Sequence, residues 1–301
     1  MLRWLLLVLF TRPLAGQARV PYDSAHTQVV LLGTGTPNAE PDRSGPALAV
    51  TLHDRAYLVD AGPGVVRRAS AAHQAGVGAL RMENLRVVFL THLHSDHTAG
   101  LADLILTPWV LNRTAPLEVY GPTGTRAMVD HLLAAYAADI ANRRTHDQPH
   151  NDTGWRVHAH EIRPGRVYHD EFVTVSAFAV EHDGWREALG YRFDAPDRSI
   201  VVSGDTKASD AVIQACQGCD VLVHEVYSQA GFERLPPAWQ RYHAGAHTSA
   251  VDLGRLAARA RPGLLILYHA LPWSSSPEEI VQEVREGFAG PVAYASDLDV
   301  Y

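Results

Sequence analysis

The chain has 301 residues, a formal net charge of −7, 47% hydrophobic residues and 20% charged residues. This balance is typical of a globular protein and excludes disordered, collagen-like and coiled-coil chains. An acidic chain without a block of lysine or arginine argues against a general nucleic-acid binder, whose affinity comes largely from phosphate contacts. Histidine is unusually frequent at 17 residues, and imidazole is both the commonest metal ligand and a proton carrier near neutral pH.

The N-terminus predicts an export signal. Arg3 is followed by an apolar run from Trp4 to Phe10 and by small residues up to Ala18. Seven apolar residues are too few to cross a bilayer, which takes about 20, but they fit the short core of a signal peptide. We expect residues 1–18 to be removed and residues 19–301 to form one hydrolase domain, exported to the periplasm or the medium, with no stable membrane anchor. If the segment is instead a frayed end or follows a misplaced start codon, the protein is cytoplasmic.

The first half of the chain predicts short strands and one helix. Runs of apolar and β-branched residues between turn residues indicate strands, and apolar positions three and four apart indicate a helix. The predicted strands are Val29–Leu32, Ala47–Leu52, Tyr57–Val59 and Val87–Leu90, and the predicted helix is Gly124–Ala141. The segment His146–His169 is polar and contains histidines at positions 146, 150, 158, 160 and 169. We expect it to be a solvated loop or a substrate rim rather than a further metal site.

The second half predicts more strands and two helices. The strands are Val173–Val180, Leu189–Phe193, Ile200–Val202, Val221–Val223 and Leu264–Leu267, and the helices are Ser249–Ala260 and Ser276–Gly287. The last helix opens with Ser276 followed by Pro277, which is favourable chemistry for a helix N-terminus. Because strands and helices are mixed in both halves, one layered domain is favoured over separate all-α and all-β parts.

The two cysteines, Cys216 and Cys219, form a C-x-x-C pair. Two thiolates alone cannot complete a tetrahedral zinc site. Redox-active pairs usually open a helix, whereas this pair precedes an apolar strand. We therefore expect a local disulfide or two inert thiols.

The clearest motif is H-x-H-x-D-H, which follows the predicted strand ending at Leu90. Residues two apart in an extended segment share a face, so His92 and His94 can bind one cation. Asp96 and His97 lie past the bend and can face a second cation. Imidazole combined with carboxylate suits zinc, iron or manganese.

Three later residues, His182, Asp205 and His269, each follow an apolar run that predicts a strand. A lone histidine after a strand is usually structural. Repetition of the pattern after the H-x-H-x-D-H motif favours a metal site, because such a site at one sheet edge needs polar groups at several strand ends.

These residues in this order resemble the metallo-β-lactamase fold superfamily, and more closely its ribonuclease Z and arylsulfatase-like branch. The segments typical of the branch are Ser203-Gly204-Asp205-Thr206, Val223-His224-Glu225 and Ala246-His247-Thr248-Ser249. The matching segments run in family order from residue 28 to about residue 270. The resemblance implies an α+β fold, a four-layer αββα sandwich, with a two-metal cleft at the sheet edges.

The resemblance also implies the role of each site residue. One metal is held by His92, His94 and His182, the second by Asp96, His97 and His269, and Asp205 bridges both. Two Zn²⁺ are expected, with Mn²⁺ or iron as alternatives, because two cations that share a carboxylate can turn a bridging water into hydroxide near neutral pH.

The implied catalytic residues are Asp96, His247 and Glu225. His247 would act as general acid or stabilise charge on the leaving group, supported by Glu225; the alternative for His247 is a structural neighbour of the next helix. Asp60 is expected to support the site or form a turn, and His243 to support the site or lie on the surface.

One departure from the family concerns the arm with which ribonuclease Z proteins grip tRNA. In many bacterial forms the arm lies between the Gly-Tyr-Arg and Gly-Asp-Thr segments, where this chain has only Asp194–Ser203. The acidic charge and the N-terminal segment point the same way, so tRNA is an unlikely partner. We expect a small-molecule ester substrate, and a homodimer is possible.

Several functions remain open. The leading hypothesis is hydrolysis of a phosphodiester or a sulfate ester by a phosphodiesterase-like or arylsulfatase-like enzyme. The alternatives are a lactonase or β-lactamase-type acyl hydrolase, a tRNA 3′-processing endonuclease without the arm, and a non-catalytic metal-binding or partner-binding module. The substrate pocket is expected around Trp109, Trp155, Trp185 and Trp273.

Overall fold

The computed structural model describes residues 20–146 and 151–301. The predicted export signal, residues 1–18, and His150 lie outside the described residues. Two β-sheets pack face to face, and helices cover the outer face of each, which is the expected αββα arrangement. Among the described helices, none is both long and apolar enough to cross a membrane.

Within the described ranges, the first sheet has six strands in chain order and the second has seven in the order β13-β12-β11-β10-β9-β8-β7. The first comprises β1 (Gln28–Gly33), β2 (Ala47–Leu52), β3 (Arg55–Val59), β4 (Leu85–Phe89), β5 (Leu117–Gly121) and β6 (Val157–Glu161). The second comprises β7 (Gly165–His169), β8 (Thr174–Val180), β9 (Ala188–Asp194), β10 (Ser199–Val202), β11 (Val221–Tyr227), β12 (Leu264–Leu271) and β13 (Val292–Tyr294).

The helices form the two outer layers and several connections. They are α1 (Val65–Gln74), α2 (Ser95–Thr98), α3 (Leu101–Val110), α4 (Thr125–Ala135), α5 (Ala137–Thr145), α6 (Asp210–Cys216), α7 (Gln229–Glu233), α8 (Pro237–Ala246), α9 (Ala250–Ala260) and α10 (Pro277–Arg285). Short 3-10 turns lie at Gly78–Leu80 and Met82–Asn84.

Alternation along β1 shows how the layers form. Val29 and Leu31 face the second sheet, while Val30 and Leu32 face the helical layer that includes α1. Because successive side chains of a strand point to opposite faces, a strand that is apolar throughout can be buried on both sides. The second sheet packs in the same way against α6, α9 and α10.

The strand directions bring the chemistry to one edge. Strands β3, β4 and β5 are parallel, as are β10, β11 and β12, and β8 runs in the same direction as β10 because both are antiparallel to β9. The carboxyl ends of parallel strands meet at one edge of a sheet, where α/β proteins place their ligands.

The predicted strands match β1–β4 and β8–β12 to within a few residues, and the last two predicted helices match α9 and α10. The expectation of a loop over His146–His169 is wrong, because β6 and β7 lie there. In β6, Ala159 is buried while His158 and His160 share the other face, where each lies 2.7 Å from Glu118. The polar residues are therefore half of an alternating strand pattern.

The predicted helix Gly124–Ala141 is two helices, α4 and α5, divided at Tyr136. Cys216 and Cys219 form a disulfide at the end of α6, which is one of the two expected outcomes. The bridged turn passes through left-handed backbone at Gln217 and Gly218.

Arg113 is a buried cation that organises the first helical layer. Its side chain donates to the carbonyl oxygens of Leu85, Leu104, Ile105 and Gly154 at 2.7–2.9 Å. Pro108 lies inside α3 and has no N–H to donate to the Leu104 carbonyl four residues earlier. Arg113 supplies the missing donor.

We expect Arg113→Met to lower the free energy of unfolding by about 3–5 kcal/mol, because it leaves several buried carbonyls without a partner at roughly 1–3 kcal/mol each. Urea unfolding of the purified variant measures the loss. Arg259→Met, which removes an arginine whose side chain is 64% exposed, is the control and should change stability by less than about 1 kcal/mol. An equally small effect of Arg113→Met would refute this role.

Candidate metal centre

The H-x-H-x-D-H motif spans a change from extended chain to helix. After β4 the chain bends at Thr91 and is extended again at His94, which precedes the short helix α2 that contains Asp96 and His97. His92 and His94 therefore point to one side, and they meet His182 from the end of β8. The Nδ1 atom of His94 lies 2.9 Å from Nε2 of His92 and 3.2 Å from Nε2 of His182.

A second group of ligand atoms lies beside the first. Nε2 of His269 is 3.3 Å and Nε2 of His97 is 3.5 Å from Oδ2 of Asp96. Oδ2 of Asp205 lies 3.4 Å from Nε2 of His97 and 3.5 Å from Nε2 of His269. Asp205 also groups with His92, so its carboxylate lies where it can join both sets.

Backbone irregularities aim two of these side chains. His269 has a φ of 45° and lies where the β11–β12 register shifts, so it is the extra residue of a β-bulge. Gly204 precedes Asp205 with a φ of 63°, and a Cβ there would lie 2.7 Å from the Leu189 carbonyl oxygen. Only glycine fits this turn without strain.

Three histidines use Nδ1 for hydrogen bonds outside the cluster, so their Nε2 atoms point into it. His97 donates from Nδ1 to Asp60 at 2.8 Å, and His182 donates from Nδ1 to the Ala246 carbonyl at 2.7 Å. Nδ1 of His92 lies 3.0 Å from Oγ1 of Thr91, which itself donates to Asp60. Such partners fix the tautomer and orientation of metal-binding histidines.

The donor set fits a divalent metal. The groups His92–His94–His182, His92–His97–Asp205 and Asp96–His97–His269 each bring three ligand atoms within 4.8 Å of one another. Nε2 of His97 and Oδ1 of Asp205 are buried without a hydrogen-bond partner among the described residues. Bringing acceptor atoms together in this way is costly unless a cation joins them, and nitrogen with carboxylate oxygen suits zinc.

The electrostatics of the cluster keep Asp205 ionised. Burial by itself would raise the pKa of Asp205, but His269 and His97 hold it well below its ordinary value. Burial lowers the pKa of His92 well below its usual range, and the neighbouring His97 lowers it further. The pKa of His97 and of His269 is raised, because the attraction of neighbouring carboxylates outweighs the effect of burial. Metal ligands need an anionic carboxylate and neutral imidazoles, so a cation bound here would displace the protons of these two rings.

His247 and Glu225 lie next to this cluster. Nδ1 of His247 is 3.4 Å from Oε2 of Glu225 and 3.9 Å from Oδ2 of Asp205. The Thr248 amide donates to Glu225 at 2.7 Å and fixes its carboxyl group. Burial lowers the pKa of His247 to about 4 and raises the pKa of Glu225 well above its ordinary value.

The sequence left two positions open for His247, one in the catalytic cleft and one next to a helix. Both describe it. It ends α8, two residues before Ser249, whose side chain caps α9 by accepting from the Asp252 amide. It also lines the cleft beside Asp205. It groups with His182 and Asp205 as a further set of three ligand atoms.

The metal groups lie at the base of a cleft of about 650 Å³. Trp273 lines it as expected. Trp185 does not line it, but its Nε1 donates to Nε2 of the lining residue His94 at 2.9 Å. Trp109 and Trp155 do not line the cleft. Trp109 donates from Nε1 to the Asn151 carbonyl, and the guanidinium of Arg156 lies over the ring of Trp155. Sequence reasoning missed Trp239 and Tyr242 of α8, whose helix it did not predict.

His243 also lines the cleft, only 8% exposed, with its ring centre 5.5 Å from that of His247. Asp60 supports the site, since it accepts from both Thr91 and His97.

Comparison with known proteins agrees with this geometry. The β-lactamase superfamily domain matches residues 55–270. Ribonuclease Z of Mycobacterium bovis is 36% identical over 278 residues, which are 90% of this chain and 96% of the relative. Ribonuclease Z of Mycobacterium marinum is 36% identical over 81% of this chain and 86% of its own length.

Among solved structures, the short form of human tRNase Z superposes with a TM-score of 0.68 at 21% identity, over 91% of this chain and 98% of that one. The metallo-β-lactamase fold protein YhfI of Bacillus subtilis also has a TM-score of 0.68, at 19% identity over 92% and 99% of the two chains. These two likenesses concern the fold.

The chain is thus a metal-dependent hydrolase that acts on ester bonds. It belongs to the metallo-β-lactamase superfamily, in the branch that includes ribonuclease Z, whose members use a divalent metal, typically zinc. The names of the relatives favour the tRNA 3′-processing endonuclease, which was an alternative, over the leading hypothesis of a phosphodiesterase-like or arylsulfatase-like enzyme. The same names go against the expectation that tRNA is an unlikely partner. The alignment covers 96% of the ribonuclease Z of M. bovis, so little of that relative lies outside the part shared with this chain.

We expect Asp205→Ala to lose metal as well as activity, because it removes the carboxylate that lies next to both ligand groups. Metal content after dialysis, measured by mass spectrometry of the element, checks this. Asp210→Ala changes an exposed carboxylate of α6 and should keep the full metal content. Normal metal content in Asp205→Ala would mean that this carboxylate is not a shared ligand.

We also expect metal binding to change the environment of Trp185. A metal at Nδ1 of His94 leaves the ring proton on Nε2, which then cannot accept the hydrogen bond from Trp185. Titration of the metal-free protein with Zn²⁺ should therefore shift its tryptophan fluorescence, and Trp185→Phe should remove most of that shift. A shift of the same size in Trp185→Phe would assign the change to another tryptophan.

Proposed function

We propose that the chain hydrolyses phosphodiester bonds of RNA with two Zn²⁺ ions. The observation that carries the proposal is the meeting of two ligand groups at Asp205, directly beside His247. His92, His94 and His182 would hold one ion, and Asp96, His97 and His269 the other. When bound, two such ions activate a water and stabilise the oxygens of an in-line displacement.

The chain's own residues would orient and protonate the reacting groups. Glu225 lies beside Nδ1 of His247, so Nε2 of that ring is left to face the substrate. His247 would protonate the leaving oxygen or stabilise its charge, and Glu225 would keep the ring in place. Asp96 also lines the cleft and would orient the attacking water.

Ribonuclease Z activity is the form of this function that the relatives support best, since two of them bear that name at 36% identity. Where the arm would lie, residues 195–198 form a tight turn between β9 and β10. Recognition of a long RNA would therefore have to come from other surfaces.

The proposal is tested by initial rates of the zinc-loaded and manganese-loaded protein on four substrates. These are a tRNA precursor with a 3′ trailer, bis(p-nitrophenyl) phosphate, p-nitrophenyl sulfate and nitrocefin. We expect cleavage of the precursor at the trailer junction and turnover of the phosphodiester. Faster turnover of the sulfate or of nitrocefin than of either phosphodiester would overturn the proposal in favour of a sulfatase or an acyl hydrolase.

We expect His247→Ala to lower kcat on bis(p-nitrophenyl) phosphate by about 10²–10⁴-fold, the usual contribution of a general acid or base. Metal content should stay unchanged, which separates a proton donor from a ligand. His131→Ala, at an exposed histidine of α4, is the matched control and should keep the wild-type rate. Loss of metal from His247→Ala would make His247 a ligand instead.

We further propose that residues 1–18 are a signal peptide and that residues 19–301 are the exported domain. The Cys216–Cys219 disulfide supports this, because structural disulfides are rare in the reducing cytoplasm. Cell fractionation and N-terminal sequencing of the mature protein test it, and an intact Met1 in the cytoplasmic fraction would refute it. Export would restrict the RNA substrates to those outside the cytoplasm, and sizing the mature protein in solution would show whether it is a homodimer.

A further inference from the structure

One wall of the cleft is built from aromatic rings. Trp239, Tyr242 and His243 of α8 and Trp273 after β12 all line the cleft above the metal groups. We call these four residues the aromatic wall. Trp239 is 56% exposed and Tyr242 is 37% exposed, whereas large apolar side chains of a folded chain are mostly buried.

The aromatic wall is continuous with the proposed catalytic histidine. Trp239, His243 and His247 are spaced four residues apart, which places them along one side of α8 and its end. The ring centres of Trp239 and His243 are 5.8 Å apart, and those of His243 and His247 are 5.5 Å apart. These three rings therefore extend from the solvent-exposed Trp239 to His247, the residue proposed to contact the leaving group.

Trp273 is held in place at a backbone cost. It has a φ of 39°, a left-handed conformation that is unfavourable for a bulky residue. Arg234 donates to the Trp273 carbonyl at 3.0 Å. The ring centre of Trp273 lies 4.6 Å from that of His243. A Cβ on Gly231 would lie 3.1 Å from the Trp273 Cβ, so glycine at position 231 leaves room for Trp273. The surroundings fix Trp273 against its backbone preference.

The charged residues of the cleft indicate which kind of ligand the aromatic wall would bind. Among the described residues that line the cleft, none is lysine or arginine. A phosphate could thus be bound through the metals, but neighbouring phosphates of a polyanion would find no cation there. The remaining lining away from the metal groups is mainly aromatic and aliphatic, including Leu235 and Leu271. Such a surface suits a flat, uncharged ring.

We propose that the aromatic wall is a stacking subsite for one nucleobase next to the scissile phosphate. This inference rests on the proposed hydrolysis of RNA phosphodiesters and assigns the recognition of one base to these residues. Trp239 and Tyr242 position the base, and Trp273 closes the inner end of the subsite. We expect the subsite to accept any of the four bases, because every base has a flat face that can stack.

The test measures binding without turnover. Adenosine 5′-monophosphate and ribose 5-phosphate share the phosphate and differ by the base, so titration of the zinc-loaded protein with each isolates the base. We expect adenosine 5′-monophosphate to bind about 5- to 150-fold more tightly, the range typical of one base stacked on aromatic side chains. Trp239→Ala and Tyr242→Ala should each lower this ratio, while ribose 5-phosphate binding stays unchanged.

Tyr136→Ala is the matched control, because Tyr136 is 44% exposed at the junction of α4 and α5 and does not line the cleft. It should keep the wild-type ratio. Equal binding of the two ligands, or a ratio unaffected by Trp239→Ala, overturns the subsite. Turnover of bis(p-nitrophenyl) phosphate, measured in parallel, tests the proposed function separately: turnover without a base preference rejects the subsite alone, and a base preference without turnover rejects the phosphodiesterase function.

Discussion

The arrangement of the site depends on one buried carboxylate, that of Asp60. It accepts from the Thr91 amide and from the His97 ring at 2.8 Å each, and so ties the end of β3 to the loop that follows β4. Asp60 therefore holds the H-x-H-x-D-H segment at the residue that precedes it, Thr91, and at its last residue, His97. Because a buried carboxylate is stable only with such partners, the anchor and the loop fix each other.

Much of the site could be predicted from the sequence because it depends on local rules. A polar residue that follows a buried strand is brought to a sheet edge, and repetition of this pattern after the H-x-H-x-D-H motif indicated His182, Asp205 and His269. The roles assigned to Glu225 and His247 came from resemblance to known proteins. The structure places Glu225 and His247 beside each other, although one lies within a strand and the other after a helix.

What could not be predicted depends on the path of the chain in three dimensions. Trp109 and Trp239 are equally conspicuous in the sequence, yet only Trp239 lines the cleft. Trp239 reaches the cleft because it lies on α8, and the mixed composition of that segment gave no clear helical period. The bulge at His269 was also hidden, because a one-residue shift in strand register leaves no signal in the order of residues. His158 and His160 were misplaced because charged and polar residues on one strand face look like a loop.

The two sheets share the ligands unequally, and this has a consequence for the stability of the whole chain. The loop after β4 in the first sheet provides four of the proposed ligand side chains, while the second sheet provides the other three, His182, Asp205 and His269. Metal ions held by both would cross-link the two halves of the sandwich without a covalent bond. By mass action, a ligand that binds only the folded chain stabilises it by RT ln(1 + [L]/Kd). The folded fraction of this protein would then follow the free zinc concentration of its compartment, so the same residues that act on substrate would also set how long the enzyme survives where metal is scarce.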